Sequence, residues 1–422
     1  MKVEKPNCLN SINKNKIFND PIYGFITIPN EKIFDLLEHP YFQRLRRISQ
    51  LGFTYLVYPG AYHTRFHHAL GAMHLTQQAI QILRSKGHSI SNEEEEAACI
   101  AILLHDIGHG PFSHALEHTL VKGINHEQLG LLFMEDLNRE FNGDLTLAIQ
   151  IFKGNYPKVF LHQLISSQLD MDRLDYLRRD SFYTGVTEGA INSERLLTML
   201  NLHNDELVID AKGIYSVEKF IVARRFMYWQ VYLHKTVISA EFMIVKTLLR
   251  ARELALSGAE LFASNSLRVF LSNHLTHQNF EQNPSLLKSF AQLDDYDIIG
   301  ALKEWVHCDD AVLASLSLSI LNRSLFKVQI LEAPLQEKER SLILEKIAAD
   351  KGISKEEAQY FLIEESIDNH AYNPSKDKIY LLYKDGTTQD IAQVADQLNI
   401  SALSKRVTKH FVCYPEEYMR RP

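Results

Sequence analysis

From Arg65 to about Arg84 the chain sets His68, Ala72, Leu75, Ala79 and Ile82 at steps of three and four, the spacing of one helix face. A histidine therefore sits on an apolar stripe, either as a hydrogen-bonded core residue or as a ligand. A second apolar run, Ala97 to Leu104, follows the acidic turn Glu93 to Glu96, with Ser91 or Asn92 placed to cap it. It reads as a buried helix that stops at Gly108, Gly110 and Pro111. Residues 159–180 form a third helical pattern, whose stripe Leu161, Ile165, Leu169, Asp172, Tyr176 carries an aspartate where an aliphatic belongs. A carboxylate on a core-facing stripe needs a cation or several donors. Arg173, Arg178 and Arg179 are the plain candidates, although Arg173 lies about 100° around the helix from Asp172.

The flanking pattern is less regular. Asn19 to Gly24 is rich in breakers, and Gly24 to Ile28 reads as a short strand. A helix is predicted from about Glu31 and another over Phe42 to Leu51, its basic residues suiting a solvated face. Around Val222 to Ile238 two faces separate: Val222, Phe226, Trp229 and Leu233 for packing, and Arg224, Tyr228, Tyr232 and Lys235 as a polar-aromatic face. The latter suits either solvated surface or a pocket where rings stack and cations meet phosphate. Helical patterns run to about Asn322. Strands are then predicted at Leu325–Leu331, Lys378–Tyr383 and Lys409–Cys413, with helices at Gln336–Lys351, Lys355–Phe361 and Thr388–Leu398. The expected fold is mostly α, with a helical domain over residues 1–324 and a small α+β domain over residues 325–422.

The 422 residues are ample for a large core, and 45% hydrophobic with 23% charged content is ordinary for a soluble protein. A net charge of -7 advertises no global affinity for nucleic acid, so any positive patch is local. Cys8, Cys99, Cys308 and Cys413 show no paired spacing, which argues against a zinc ribbon or disulfide framework. With no stretch near the roughly 18 apolar residues of a membrane helix and no apolar leader, the expected setting is the cytoplasm.

Chemistry concentrates at the end of the second helix. His105, Asp106, His109 and His114 fall within ten positions, so imidazole and carboxylate are delivered together to a buried element. With His68 and Asp172 they form a series, His68 … His105-Asp106 … Asp172, from three predicted helices. Two imidazoles and two carboxylates suit a divalent ion such as Mn, Fe, Zn, Ni, Co or Mg.

That order resembles the HD-domain phosphohydrolases, and within them the deoxynucleotide triphosphate triphosphohydrolases, the group of the vertebrate sterile-alpha-motif/HD enzyme and its bacterial counterparts. The similar segments run in order over most of the first ~240 residues. They are Asn19–Gly24, Phe42–Gly52, Tyr58–Ala61, Arg65–Gly71, His105–His114, His126–Glu127, Asp170–Asp180 and Tyr232–Lys235. Ile107-Gly-His-Gly-Pro-Phe112 stands where the stringent-response hydrolases of the HD class place Glu-Asp, and the Gly-Tyr-Pro signature of cyclic-dinucleotide phosphodiesterases is missing.

The resemblance implies that His68, His105, Asp106 and Asp172 hold the metal. It implies His114 as proton donor to the departing 5′-oxygen, His109 on the phosphates and His126 in a proton relay. Arg65, Arg173, Tyr176, Arg224 and Lys235 would meet the triphosphate. Gln50 and Asp180 would fix the sugar 3′-hydroxyl, and Leu51 and Tyr232 would pack against the 2′ carbon, giving deoxy selectivity. Lys16, Glu38, Gln43 and Arg46 fall where family members bind an activating guanine nucleotide between subunits, so a GTP or dNTP effector and a homo-oligomer, dimer or tetramer, are implied. Three positions depart from the vertebrate pattern: His67 replaces a glutamate, Glu38 an aspartate, and Tyr228 a histidine of the base-facing region. Two other readings share the residues: an HD-type phosphomonoesterase or phosphodiesterase, and a non-catalytic nucleotide- or nucleic-acid-binding regulator.

Overall fold

The computed structural model describes residues 16–112, 119, 121, 123–369, 372–373, 377–395 and 407–419. It opens with a hairpin, β1 (Ile17–Asp20) and β2 (Gly24–Thr27), then α1 (Glu31–Glu38) and the one-turn α2 (Pro40–Gln43). The core is built on α3 (Arg65–Ser85), α4 (Asn92–Leu104), α5 (His126–Glu140), α6 (Thr146–Phe152), α7 (Val159–Gln163) and α8 (Met171–Thr184). Ala97 to Leu104 are all buried, as the apolar run requires. Ser91 accepts from the Glu94 backbone while Glu94 reaches back to Ser91, a full capping box.

Around this core lie α9 (Ser193–Met199), the hairpin β3 (Leu200–His203) and β4 (Glu206–Asp210), α10 (Ile214–Met227) and α11 (Lys235–Leu256). The helices α12 (Asn265–Leu271), α13 (His277–Gln282), α14 (Pro284–Phe290), α15 (Asp295–Trp305) and α16 (Ala311–Leu321) close the helical part. The C-terminal region adds β5 (Lys327–Leu331), α17 (Glu337–Lys351), α18 (Lys355–Ala358), β6 (Ile363–Asn369), β7 (Tyr380–Leu382), β8 (Thr388–Asp390), α19 (Ile391–Val394) and β9 (Val407–Tyr414). One sheet is its own, ordered β5-β9-β6 and antiparallel; the other, β3-β4-β7-β8, joins β7 in parallel to β4 of the helical part. The Ser239 hydroxyl on α11 also donates to the Phe326 carbonyl at 2.7 Å. The region is thus both a small α+β unit and a partner in a sheet of the core.

Four sequence expectations need correction. Residues 159–180 are two helices, because Asp170 caps a new one by accepting from the Arg173 backbone. The segment from Phe42 is one α turn and a 3-10 turn rather than one helix, and Arg44 is fully buried rather than solvated. Around 222–238 the chain breaks at a π-helical turn, Tyr228–Tyr232; Phe226 is exposed, and Ala223, Met227 and Val231 make the packing face. Thr388 begins a strand rather than a helix, and residues 396–398 of that expected helix lie outside the described residues.

Candidate metal centre

Asp172 in the first turn of α8, His68 in the second turn of α3 and His105 at the C-terminal end of α4 meet at one point. Asp172 Oδ1 lies 3.0 Å from His68 Nε2 and 3.5 Å from His105 Nε2, and the two Nε2 atoms are 3.4 Å apart. The Nδ1 atoms face away: His68 Nδ1 donates to Asp175 Oδ2 at 2.8 Å, and His105 Nδ1 to the Ile102 carbonyl at 2.6 Å. With both Nδ1 atoms acting as donors, the Nε2 lone pairs converge on each other and on a carboxylate. Acceptors gathered in this way fit a divalent cation, and backing each ligand imidazole by a carboxylate or carbonyl is the usual arrangement. Asp106 stands beside the three, 3.3 Å from His105 Nε2 and 3.8 Å from His68 Nε2. Its carboxylate also meets Arg65 and, at 3.3 Å, His109 Nε2.

The electrostatics follow from burial and pairing. Burial opposes a charge on His68, but Asp172 and Asp175 hold its pKa up at about 10, so its Nε2 carries a proton that a cation would have to displace to use the lone pair. Burial likewise opposes ionisation of Asp172 and Asp106, yet the imidazoles hold the first, and Arg65 with the imidazoles the second, well below the usual carboxylate range. His109 is pushed the other way by burial and by Arg65, so it is neutral, stacked on His126 with centroids 3.9 Å apart.

Asp175 and Asp20, which the sequence did not single out, support this centre together with Arg179, one of the three arginines offered as partner for a buried aspartate. Arg179 binds both Asp175 oxygens at 2.9 Å and Asp20 of β1 at 2.7 Å, all within fully or nearly fully buried space. Gly71 of α3 makes room: a Cβ there would lie 1.9 Å from Asp175 Oδ1 and 2.3 Å from Arg179 Nη2. Arg44 was missed as well. Its guanidinium donates to the carbonyls of Ile107 and His109 at 2.6 and 2.8 Å, between the rings of Phe133 and Phe290. The i, i+4 spacing of Asp175 and Arg179 was a readable signal; for Arg44 there was none.

The expected ligand-contacting residues are brought together in part. Tyr176 lies one turn beyond Asp172, its ring 6.4 Å from His68 and 6.2 Å from Tyr232. Asp180, one turn further, accepts from the Tyr232 hydroxyl at 2.8 Å. Gln50 has a buried Oε1 without a partner among the described residues, and Leu51 packs partly buried beside it. Arg173 is turned back onto Asp170 at 3.2 Å and the Ser167 carbonyl at 2.6 Å. The Arg224 guanidinium lies 5.3 Å over the Tyr228 ring. Lys235 lines a cavity of about 660 Å³ with Trp229, Arg323, Lys327 and Lys409, whose lining includes none of the metal-site residues. His114 lies outside the described residues. Gln43 and Arg46 are bonded at 2.9 Å, Lys16 sits 4.6 Å over Phe34, and Glu38 is exposed nearby on α1.

Known proteins resemble this chain over most of its length. Residues 65–180 match the HD domain and residues 191–273 the HD associated region. A crystal structure described as a phosphohydrolase, BT4208 of Bacteroides thetaiotaomicron, is 55% identical with a TM-score of 0.92, covering 94% of this chain and 99% of that one. The uncharacterized protein YwfO of Bacillus subtilis is 32% identical, covering 96% of this chain and 93% of its own length. A Dictyostelium discoideum protein named as a deoxynucleoside triphosphate triphosphohydrolase SAMHD1 homolog is 32% identical over 54% of this chain and 48% of its own length.

Proposed function

The chain belongs to the HD-domain phosphohydrolase family, with an HD-associated region behind the HD domain, and from that premise we propose that it is a divalent-metal-dependent deoxynucleoside triphosphate triphosphohydrolase. A dNTP and water would give a deoxynucleoside and tripolyphosphate. The observation that carries the reading is on α8, where Asp172, Tyr176 and Asp180 follow at i, i+4 and i+8 and so share one face. A cation ligand, an aromatic ring and a hydroxyl acceptor stand in line, an order that suits the innermost phosphate and the sugar of one nucleotide.

His68, His105 and Asp172, with Asp106 beside them, would hold the ion, which when bound supplies Lewis acidity at a phosphate ester. Arg65 and Arg224 provide fixed positive charge for the phosphates, and Arg173 would have to exchange its Asp170 contact to join them. A water oxygen bonds to the α-phosphorus, the bond from that phosphorus to O5′ breaks, and O5′ takes a proton. The proposed donor is His114, with neutral His109 on the phosphates and His126 stacked behind it as the relay. Leu51 and Tyr232 deny space and partners to a 2′-hydroxyl. Lys16, Glu38, Gln43 and Arg46 make up the proposed effector site for GTP or a dNTP, shared between subunits.

The test is to incubate the protein with each dNTP and Mn²⁺ or Mg²⁺ and resolve the products by anion-exchange chromatography. Tripolyphosphate with deoxynucleoside is the expected result, lost in His105→Ala. Orthophosphate as sole product would replace this reading by a phosphomonoesterase, and tight binding without turnover by a regulator. A rate unchanged by added GTP or dGTP would remove the effector.

A further inference from the structure

Asp180 is held by two donors. Tyr232 OH reaches its Oδ2 at 2.8 Å, and His63 Nε2 reaches its Oδ1 at 2.7 Å, with His63 itself 1% exposed. A carboxylate only accepts, so the proton of this contact sits on His63 Nε2. His63 is fixed on two further sides. Its ring stacks on Tyr183, centroids 4.4 Å apart and 17° from parallel. Its backbone carbonyl accepts from Gln50 N at 3.0 Å, within a two-residue antiparallel ladder that includes the Ser49–Thr64 bridge. The loop before it is clamped to the same helix: a Cβ on Gly60 would lie 2.6 Å from the Tyr183 carbonyl. One short ladder therefore carries both His63, which orients Asp180, and Gln50, whose buried Oε1 has no partner among the described residues.

We propose that His63 is a positioning residue that holds the Asp180 carboxylate as a fixed acceptor beside Gln50, so that the site selects substrates presenting a sugar 3′-hydroxyl. This rests on the nucleotide reading above. With both oxygens already engaged and the carboxylate plane set, only a donor completes the cluster. A nucleotide lacking that hydroxyl leaves the buried Gln50 Oε1 desolvated and unpaired and Asp180 one donor short, which is how a site built for a hydroxyl rejects its absence. Removing the His63 donor leaves Asp180 on Tyr232 alone and free to turn.

The experiment compares kcat/KM for a dNTP and its 2′,3′-dideoxy analogue with Mn²⁺ in wild type, His63→Leu and His63→Gln. The wild-type ratio is expected at about 100 or more, within the range for a lost hydroxyl partner. In His63→Leu the ratio falls at least about tenfold, through a higher KM for the dNTP with the dideoxy value unchanged. In His63→Gln, whose amide N–H can take the place of Nε2–H, it returns to within about threefold of wild type. A folded His63→Leu protein with the wild-type ratio overturns the proposal, as does a folded His63→Gln protein that has lost it. Wild type inert toward both nucleotides removes the nucleotide reading and this proposal with it; wild type that turns over both equally removes the hydroxyl selection alone.

Discussion

Asp175→Asn is the sharpest perturbation of the metal centre that leaves every proposed ligand in place. The change is isosteric, so packing is kept, but the buried Arg179 loses the negative charge and one of the two acceptors behind its 2.9 Å contacts, and retains only Asp20 as a countercharge. Breaking a buried pair by removing one charge costs roughly 3–5 kcal/mol, and the remaining Asp20 contact places the expected loss near the lower end. His68 loses a carboxylate behind its Nδ1, for which metal affinity is expected to fall about 10–100-fold. The two effects are read separately, by urea denaturation of the metal-free protein and by competition for Mn²⁺ against a chelator of known affinity. Gly71→Ala attacks the same pair from α3. An alanine inside a helix ordinarily gains close to 1 kcal/mol over glycine, but here its Cβ would sit 1.9 Å from Asp175 Oδ1, so a net loss of at least ~2 kcal/mol is expected. Wild-type metal affinity in Asp175→Asn, or a stabilised Gly71→Ala, would refute the claim that this network sets the centre.

Other parts of the site make independent expectations. Gly108→Ala should abolish turnover and cost at least ~3 kcal/mol in chemical denaturation, since its Cβ would fall 2.0 Å from the His126 carbonyl and 2.3 Å from Gly130 N, backbone that cannot yield; normal stability would contradict the contact. Arg44→Met should destabilise by about 3 kcal/mol and lower kcat more than it raises KM, because the carbonyls of Ile107 and His109 lose their donor; an unchanged kcat would contradict this. Burial pushes the Glu241 carboxyl up to about 7, so the folded state holds this proton more tightly than the unfolded chain. Its stabilising contribution is full below the unfolded value of 4.5 and is lost as pH rises through 7, up to about 3 kcal/mol. Glu241→Gln should therefore flatten the wild-type loss of Tm between pH 5 and pH 8 in calorimetry; an unaltered slope would count against it.

Much of this was legible in the chain, for identifiable reasons. The run from Ala97 to Leu104 with its acidic capped start could only be a buried helix, and its glycine-rich end fixed where His105 and Asp106 emerge. His68 was readable as a histidine on an apolar stripe once Asp172 and the His-Asp pair supplied partners. The errors arose where phase was carried across a hidden break. The stripe through residues 161–176 ignored the new helix begun at Asp170, so it drew Asp172 as the core-facing carboxylate when Asp175, one step further round, is the fully buried one. The same happened at the π-helical turn from Tyr228, which inverted the face containing Phe226. His63 and Arg44 were invisible for a different reason. Each is fixed by residues far away in sequence, Asp180 for the first and Leu293 for the second, and no local periodicity encodes such pairings.

The most direct measurement is anomalous diffraction from a crystal soaked in Mn²⁺. One strong peak is expected within about 2.0–2.4 Å of His68 Nε2, His105 Nε2 and an Asp172 oxygen, absent in His105→Ala. No peak among these three atoms, with Mn²⁺ bound elsewhere or not at all, would contradict the account.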